Sequence, residues 1–157
     1  MHTDRENDIE EELKFNVLLV DDSEINLAVE KEILESFGLT VYTADSGKSA
    51  VRFVEKQGVD LILLDLRMPE MDGYEGAEFI RKNHICDNTA IIALTADAAQ
   101  DVFEKIKKSG MQEYVIKPFK PYDMRKVIEK YAGINLKNEE TVENENNSKN
   151  NSLYFKI

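Results

Sequence analysis

Cysteine, tryptophan and long apolar runs are all scarce or missing in this sequence of 157 residues. The one cysteine, Cys86, cannot form a disulfide within the chain, and the two histidines, His2 and His84, are too far apart in sequence for a zinc-binding motif. No apolar run approaches the roughly 18 residues that a transmembrane helix needs, so we expect no membrane insertion. Residues 1–15 have neither the basic start nor the apolar stretch of a signal peptide, and we therefore expect a cytoplasmic protein.

Positively charged residues are also fewer than negatively charged ones. The chain has 20 Lys and Arg against 31 Asp and Glu, which gives a formal net charge of −11. A protein that binds the phosphate backbone of DNA or RNA needs a basic surface, because that backbone is negatively charged. This balance argues against nucleic acid as a direct partner.

The composition changes along the chain. Residues 1–14 are acidic and poor in apolar side chains, and residues 134–157 are mostly polar. Neither segment can bury enough surface to offset the entropy of ordering it, so we predict two flexible tails. Residues 15–133 have the length and composition of one globular domain, and they contain no internal repeat.

Short apolar runs alternate with helix-like segments between these tails. The predicted strands are residues 15–20, 39–44, 60–65, 90–95 and 113–117, and the predicted helices are residues 24–37, 47–57, 73–82, 97–109 and 121–132. Such runs, rich in β-branched residues, are typical of buried parallel strands. Right-handed crossovers then give a doubly wound α/β fold, in which helices cover both faces of a five-stranded parallel sheet.

The first predicted helix carries apolar residues at every fourth position. Ser23 is a suitable N-cap, and Gly38 follows the last turn as a stop. We expect Val29, Ile33 and Phe37 to point into the core.

Polar side chains follow the carboxyl ends of the predicted strands. Asp21 and Asp22 come after the first strand, and Asp65, Thr95 and Lys117 end the third, fourth and fifth. Ligands of open α/β sheets bind beyond these ends, and the three carboxylates share one pocket if strands one and three are neighbours, as in the flavodoxin-like order 2-1-3-4-5. Clustered carboxylates without His or Cys suit a hard cation such as Mg²⁺. A lysine and a threonine beside them suit the oxygens of a phosphoryl group.

These motifs together resemble the response regulator receiver domain. The resemblance covers roughly residues 15–132 and is carried by Asp21-Asp22, by Asp65 with "MP" and "MDG" after it, by Thr95-Ala96, and by "KPF" at 117–119. Each motif alone is weakly specific, but five of them at the ends of the right strands are a strong signal. The run "DDSEIN" is most similar to the receivers attached to hybrid sensor kinases, and we expect either a stand-alone receiver or one of the hybrid-kinase type. The resemblance implies the (βα)5 receiver fold with strand order 2-1-3-4-5.

The resemblance also implies a role for each site residue. Asp65 is expected to be the phosphoacceptor, Thr95 and Lys117 to bind the phosphoryl oxygens, and Tyr114 to be the aromatic switch residue. The implied Mg²⁺ ligands are Asp22, Asp65 and the backbone carbonyl of Arg67, together with Asp21 acting through water. The Lys117–Pro118 peptide bond is expected to be cis.

The implied partners are proteins. The phosphoryl donor is expected to be a phosphohistidine on a sensor histidine kinase or a histidine phosphotransfer protein. Phosphorylation would draw Thr95 inward and leave space for Tyr114, which changes the face formed by residues about 97–132 for a downstream protein. Such a domain promotes its own phosphorylation and dephosphorylation, and we expect no separate output enzyme or DNA-binding domain in this chain.

Other functions are compatible with parts of the pattern. Asp65 alone could be a turn former or a helix cap, although that interpretation gives no reason for acids, a hydroxyl and an ammonium to gather at one edge. An aspartyl phosphohydrolase typically has a second Asp two residues after its nucleophile, where this chain has Arg67. A flavin or nucleotide binder needs a glycine-rich loop after the first strand, where "DDSEIN" has none. A receiver that docks proteins without being phosphorylated stays open.

Overall fold

The computed structural model describes residues 14–97, 99–133 and 136. The described residues form five strands, β1 to β5 in chain order: Asn16–Val20, Thr40–Ala44, Leu61–Asp65, Ala90–Thr95 and Glu113–Ile116. One helix follows each strand, and these are α1 to α5: Glu24–Ser36, Gly47–Lys56, Gly73–Lys82, Gln100–Lys108 and Pro121–Ala132. The strict alternation of strand and helix is the one that the sequence predicted.

The five strands form one parallel sheet in the order β2-β1-β3-β4-β5. This confirms the predicted doubly wound fold with the flavodoxin-like order 2-1-3-4-5. The register pairs Val20 of β1 with Leu64 of β3, and Asp65 with Leu94 of β4. The carboxyl ends of β1, β3 and β4 therefore stop at nearly the same level, and the side chains that follow them meet at one edge.

The core consists of two layers, one on each face of the sheet. Strand residues alternate between the layers: Ile62 and Leu64 pack with α2, α3 and α4, whereas Leu61 and Leu63 pack with α1 and α5. All five residues of β3 are buried, as expected for a central strand covered on both faces. The charged end of this strand is thus attached to a central strand that is covered on both faces.

The inner face of α1 differs from the prediction. Ile33 and Phe37 pack against the core, but Val29 is 54% exposed, and the buried residues of the helix are Glu30 and Leu34. The prediction for Val29 was wrong because a spacing of four residues rotates about 40° further around the helix at each step. Apolar residues at every fourth position therefore cannot all face the core.

Several predicted helix ends also differ slightly. The helix α4 begins at Gln100, three residues later than predicted, because Asp97 hydrogen bonds with neighbouring loop residues: its carboxylate accepts the backbone N–H of Ala99 at 3.0 Å. Asp97 also bonds to the side chain of Thr95. These bonds hold Asp97 out of the helix.

Most of the two predicted tails lies outside the described residues. Within the segment 134–157, Leu136 is described, and it is buried in the layer formed with α1 and α5. The boundaries of the domain at residues 15 and 133 stay a prediction. Among the described residues, none of the helices has the length and apolar character required to cross a bilayer.

Candidate functional site

Three carboxylates meet at the carboxyl edge of the sheet. Asp21 and Asp22 follow β1, Asp65 ends β3, and one carboxylate oxygen of each lies within 4.8 Å of the others. Asp21 and Asp65 are buried, whereas Asp22 is exposed. The structure therefore brings together the three acids that the sequence placed at strand ends, in a pocket that opens to solvent on the side of Asp22.

Backbone hydrogen bonds fix the two buried carboxylates. One oxygen of Asp21 accepts the N–H of Ser23 at 2.9 Å, and one oxygen of Asp65 accepts the N–H of Arg67 at 3.0 Å. Bonds from a side chain to the backbone two residues later are characteristic of Asp in turns. Each acid thus has one oxygen held by its own loop and a second oxygen available to the pocket.

Glycine at position 73 lets α3 approach the end of β3. A Cβ atom at Gly73 would lie 2.5 Å from the carbonyl oxygen of Asp65 and 2.9 Å from the Cα atom of Leu66. Both atoms belong to the backbone and cannot move aside cheaply. The "MDG" motif therefore contributes to the position of Asp65 through this close approach.

Lys117 is the cation of the pocket. Its ammonium group lies 2.6 Å from Asp21, 3.5 Å from Asp65 and 3.8 Å from the carboxylate of Glu30 on α1. The lysine follows β5, where its N–H donates to the carbonyl oxygen of Thr95 at 2.8 Å. The Lys117–Pro118 peptide bond is cis, which confirms the prediction.

The pKa values reflect burial and these partners. Burial raises the pKa of Asp65 above its ordinary value, although the N–H of Arg67 and the charge of Lys117 act in the opposite direction. Burial would also raise the pKa of Asp21, but the hydrogen bonds from Lys117 and Ser23 lower it by more, so the pKa of Asp21 lies below its ordinary value. Burial alone would lower the pKa of Lys117, whereas its contact with Asp21 and the charges of Asp65 and Glu30 raise it overall.

Glu30 is the pocket residue that the sequence analysis missed. It is 7% exposed, and burial, together with the charges of Asp21 and Asp65, raises its pKa to about 7 against the opposing effect of Lys117. The sequence did contain a signal, because Glu30 is four residues before Leu34 and three after Leu27, which both face the core. A helical projection centred on these leucines would have placed Glu30 inside.

The two predicted switch residues lie beside the pocket. The hydroxyl of Thr95 is buried and donates to the carbonyl oxygen of Asp97 at 3.2 Å, while it accepts the N–H of the same residue at 3.1 Å. Tyr114 on β5 is half-buried, and its ring packs edge-on against Phe103 of α4 at 5.5 Å. Thr95 thus hydrogen bonds with the loop between β4 and α4, and Tyr114 contacts α4, the helix that follows this loop.

The donor set of the pocket fits Mg²⁺. Hard divalent cations prefer carboxylate and carbonyl oxygens, and they commonly bind through one or two carboxylates while keeping several waters. Here three acids converge on one point, and the exposed position of Asp22 leaves room for waters. Arg67 is itself exposed, in the loop directly after β3.

Comparisons with known proteins point to one family. A family model of the response regulator receiver domain matches residues 17–129. The sensor protein GacS of Pseudomonas syringae pv. syringae is 36% identical over an alignment of 125 residues, and the match covers 78% of this chain and 14% of GacS. The chain therefore spans only a small part of this curated relative.

Solved structures give the same result. The receiver domain of the sensor histidine kinase PA1611 from Pseudomonas aeruginosa PAO1, with a magnesium ion coordinated in its active site cleft, is 36% identical with a TM-score of 0.71, covering 77% of this chain and 99% of that one. A chain in the co-crystal structure of the Saccharomyces cerevisiae histidine phosphotransfer signaling protein Ypd1 and the receiver domain of its downstream response regulator Ssk1 has a TM-score of 0.69 and 30% identity, covering 76% and 89%.

The matched residues include both the sheet and its acidic edge. The family model extends from β1 into α5 and contains all three acids, Lys117 and the two predicted switch residues. The sequence motifs, the strand order and the comparisons agree, and the chain belongs to the response regulator receiver domain family of two-component signalling.

Proposed function

We propose that Asp65 of this chain accepts a phosphoryl group from a phosphohistidine on a sensor histidine kinase or a histidine phosphotransfer protein. The observation that carries the proposal is the state of the Asp65 carboxylate: one oxygen is held by the N–H of Arg67, and the other faces Lys117 in a pocket with two more acids. A fixed carboxylate beside a cation is the arrangement that an in-line attack on phosphorus requires.

The transfer itself needs little chemistry from the protein. One oxygen of Asp65 forms a bond to phosphorus while the bond between phosphorus and the donor imidazole nitrogen breaks, and the electron pair of that bond returns to the imidazole. Lys117 and Thr95 bind the oxygens of the transferred group, which supplies positive charge and a hydrogen bond where negative charge concentrates. Hydrolysis later returns Asp65 to the free carboxylate, and the domain promotes both steps of its own cycle.

Asp22, Asp65 and the backbone carbonyl of Arg67 would hold Mg²⁺, with Asp21 acting through a water. When bound, the ion neutralises charge on the phosphoryl oxygens. The magnesium ion in the cleft of the PA1611 receiver domain supports this assignment.

Phosphorylation would change one protein-binding surface of the domain. Phosphorylation adds about −1.5 to −2 charges at the pocket, and Thr95 would leave its bonds with Asp97 to reach the new oxygens. Tyr114 would then move into the space that Thr95 leaves, and the face formed by residues about 97–132 would change its affinity for a downstream protein. The contact of Tyr114 with Phe103 supports this route, because it connects the tyrosine to α4.

The partners belong to the same proposal. The curated relatives are hybrid or sensor histidine kinases, and the structure with Ypd1 pairs a receiver with a histidine phosphotransfer protein. We place the domain at residues 15–133 and the protein in the cytoplasm, where such donors present their phosphohistidine.

The test is phosphotransfer from a radiolabelled histidine donor. Wild-type protein and Asp60→Asn, which changes an exposed acid directly before β3 and thus away from the carboxyl edge, should both take label from the donor. Asp65→Asn should take none while keeping its circular dichroism spectrum. Equal labelling of Asp65→Asn would contradict the proposal, and a wild-type protein that binds the donor without taking label would indicate a docking module instead.

A further inference from the structure

Gly47, the first residue of α2, lies against the loop that joins β3 to α3. This loop consists of residues 66–72 and carries the backbone carbonyl of Arg67, one of the proposed Mg²⁺ ligands. A Cβ atom at Gly47 would lie 2.7 Å from the carbonyl oxygen of Met71 and 2.8 Å from its Cγ atom. Real Cβ atoms do not approach other atoms this closely, so a side chain at position 47 would push either the loop or α2 aside.

The start of α2 is attached to its surroundings by hydrogen bonds. Ser46 and Ser49 form a capping box, in which each serine side chain accepts the backbone N–H of the other, at 3.0 and 3.1 Å. Just before the helix, the carbonyl oxygen of Ala44 accepts the N–H of Asp21 at 3.1 Å. A shift of α2 would therefore break the cap or pull on an acid of the pocket, and the loop is the part that moves more easily.

The loop itself has few torsion angles that can absorb a displacement. The ring of Pro69 fixes its φ angle. Glu70 has a φ of 65°, a left-handed conformation that residues other than glycine rarely adopt, so the surrounding structure has to hold it there. Met71 follows directly and packs partly buried against the core. A push at Met71 is therefore passed along the loop toward Arg67.

The two peptide groups of Arg67 are held differently. Its N–H belongs to the peptide group shared with Leu66, which is fixed at both ends: the N–H donates to Asp65, and the carbonyl of Leu66 accepts the N–H of Gly73 at 3.3 Å. The carbonyl of Arg67 belongs to the next peptide group, on the side toward Met71. A push at Met71 should therefore move the proposed Mg²⁺ ligand while the phosphoacceptor stays in place.

We propose that Gly47 is a positioning residue that seats Met71 and thereby sets the Mg²⁺ affinity of the pocket. This inference rests on the proposed function and adds a residue on α2 to a site that is otherwise formed by strand ends. Because glycine has no Cβ atom, the backbone of the loop can lie directly on the first turn of α2. The carbonyl of Arg67 is then held in place before the metal arrives.

The experiment compares Gly47→Ala with Gly76→Ala. Gly76 is a buried glycine of α3, and a Cβ atom there would lie 4.0 Å from the Cα atom of Gly47, which is an ordinary contact. The control thus makes the same substitution at the same helix contact without pushing the loop. Alanine also favours a helix more than glycine does, so the control should not lower the urea midpoint.

Three quantities are measured. Calorimetric titration gives the Mg²⁺ dissociation constant of the unphosphorylated protein. The amide resonance of Met68, whose N–H shares a peptide group with the carbonyl of Arg67, reports the position of that carbonyl without metal. The rate of labelling by acetyl phosphate is followed as a function of Mg²⁺ concentration, which separates the metal requirement from the maximal rate.

Gly47→Ala should bind Mg²⁺ about tenfold more weakly, a loss that is common when a residue behind a metal ligand is changed. Its Met68 resonance should shift in the metal-free protein. Labelling should need about tenfold more Mg²⁺ to reach half its maximal rate, but the maximal rate should stay within about twofold of the wild type, because only binding of the metal is impaired. Gly76→Ala should match the wild type in all three measurements.

Met71→Ala provides the decisive variant if Gly47→Ala does not fold. It removes the side chain that packs beside Gly47 and frees the loop, so Mg²⁺ should again bind more weakly and the Met68 resonance should again shift. An unchanged Mg²⁺ dissociation constant in the folded variant would overturn the inference. A maximal labelling rate about tenfold lower at saturating Mg²⁺ would also overturn it, because the substitution would then act on Asp65 itself. The proposed function fails separately, if the wild-type protein takes no phosphoryl group at any Mg²⁺ concentration.

Discussion

Removing the ammonium of Lys117 tests whether the pocket depends on one cation. In Lys117→Ala the carboxylate of Asp21, whose side chain is 1% exposed, loses a partner at 2.6 Å, and the acids around it repel one another without compensation. Losing one partner of a fully buried ion pair costs about 3–5 kcal/mol. The side chain of Lys117 is 19% exposed, so water can replace part of the contact, and we expect a loss of about 2–4 kcal/mol.

The assay is urea unfolding followed by circular dichroism, with Lys120→Ala as the matched control because Lys120 is exposed. At a slope of about 1.5 kcal/mol/M, a loss of about 3 kcal/mol lowers the urea midpoint by about 2 M. The fold of the unphosphorylated protein is thus expected to depend on Lys117, because the lysine already hydrogen bonds with the carboxylates of Asp21 and Asp65 before any phosphoryl group arrives.

Mg²⁺ should partly restore the stability of Lys117→Ala. Lys117 repels a cation and occupies an oxygen of Asp21, so its loss should tighten Mg²⁺ binding. If binding tightens about tenfold, saturating Mg²⁺ adds about 1.4 kcal/mol more stability to Lys117→Ala than to the wild type. The reasoning is refuted if Lys117→Ala loses no more stability than Lys120→Ala, or if Mg²⁺ stabilises the variant and the wild type equally.

Three further changes test other parts of the structure. Gly73→Ala should displace the loop after Asp65 and lower the phosphorylation rate at least about tenfold, whereas Gly58→Ala, which has open space for a Cβ, should leave the rate unchanged. Arg81→Ala removes hydrogen bonds to the carbonyl oxygens of residues 86, 89 and 110, and it should lower the free energy of unfolding in urea by about 3 kcal/mol. Arg52 is exposed, and Arg52→Ala should leave this free energy unchanged. Tyr114→Ala should keep its labelling by acetyl phosphate but lose most of the change in partner affinity, and a loss of labelling in the folded variant would contradict the assigned switch role.

The sheet and the acidic pocket could both be predicted from the sequence, because the apolar runs show where the strands lie and where they end. Five buried runs separated by helices leave few topologies, and the parallel order brings Asp21, Asp22 and Asp65 together. The predicted strand ends agree with the structure within one residue, since apolar runs stop sharply. These features depend on local patterns and on the general rules of parallel sheets.

The parts that the sequence did not predict depend on side-chain geometry. Glu30 was missed because glutamate is rarely buried, although its place between Leu27 and Leu34 on α1 would have indicated the burial. The ion pair between Lys117 and Asp21 joins residues that are 96 positions apart in sequence, and a sequence alone does not give the distance between their side chains. Val29 was misplaced because the helix has 3.6 residues per turn and not four.

The central claim is that Asp65 is the phosphoacceptor of this receiver domain. Its most direct test is incubation with acetyl phosphate and Mg²⁺, reduction of any acyl phosphate with borohydride, and mass spectrometry of the peptides. We expect one modified residue, Asp65, with no modification in Asp65→Asn or in excess chelator. Modification of another carboxylate in the folded wild-type protein, or none at all while Mg²⁺ is bound, would contradict the claim.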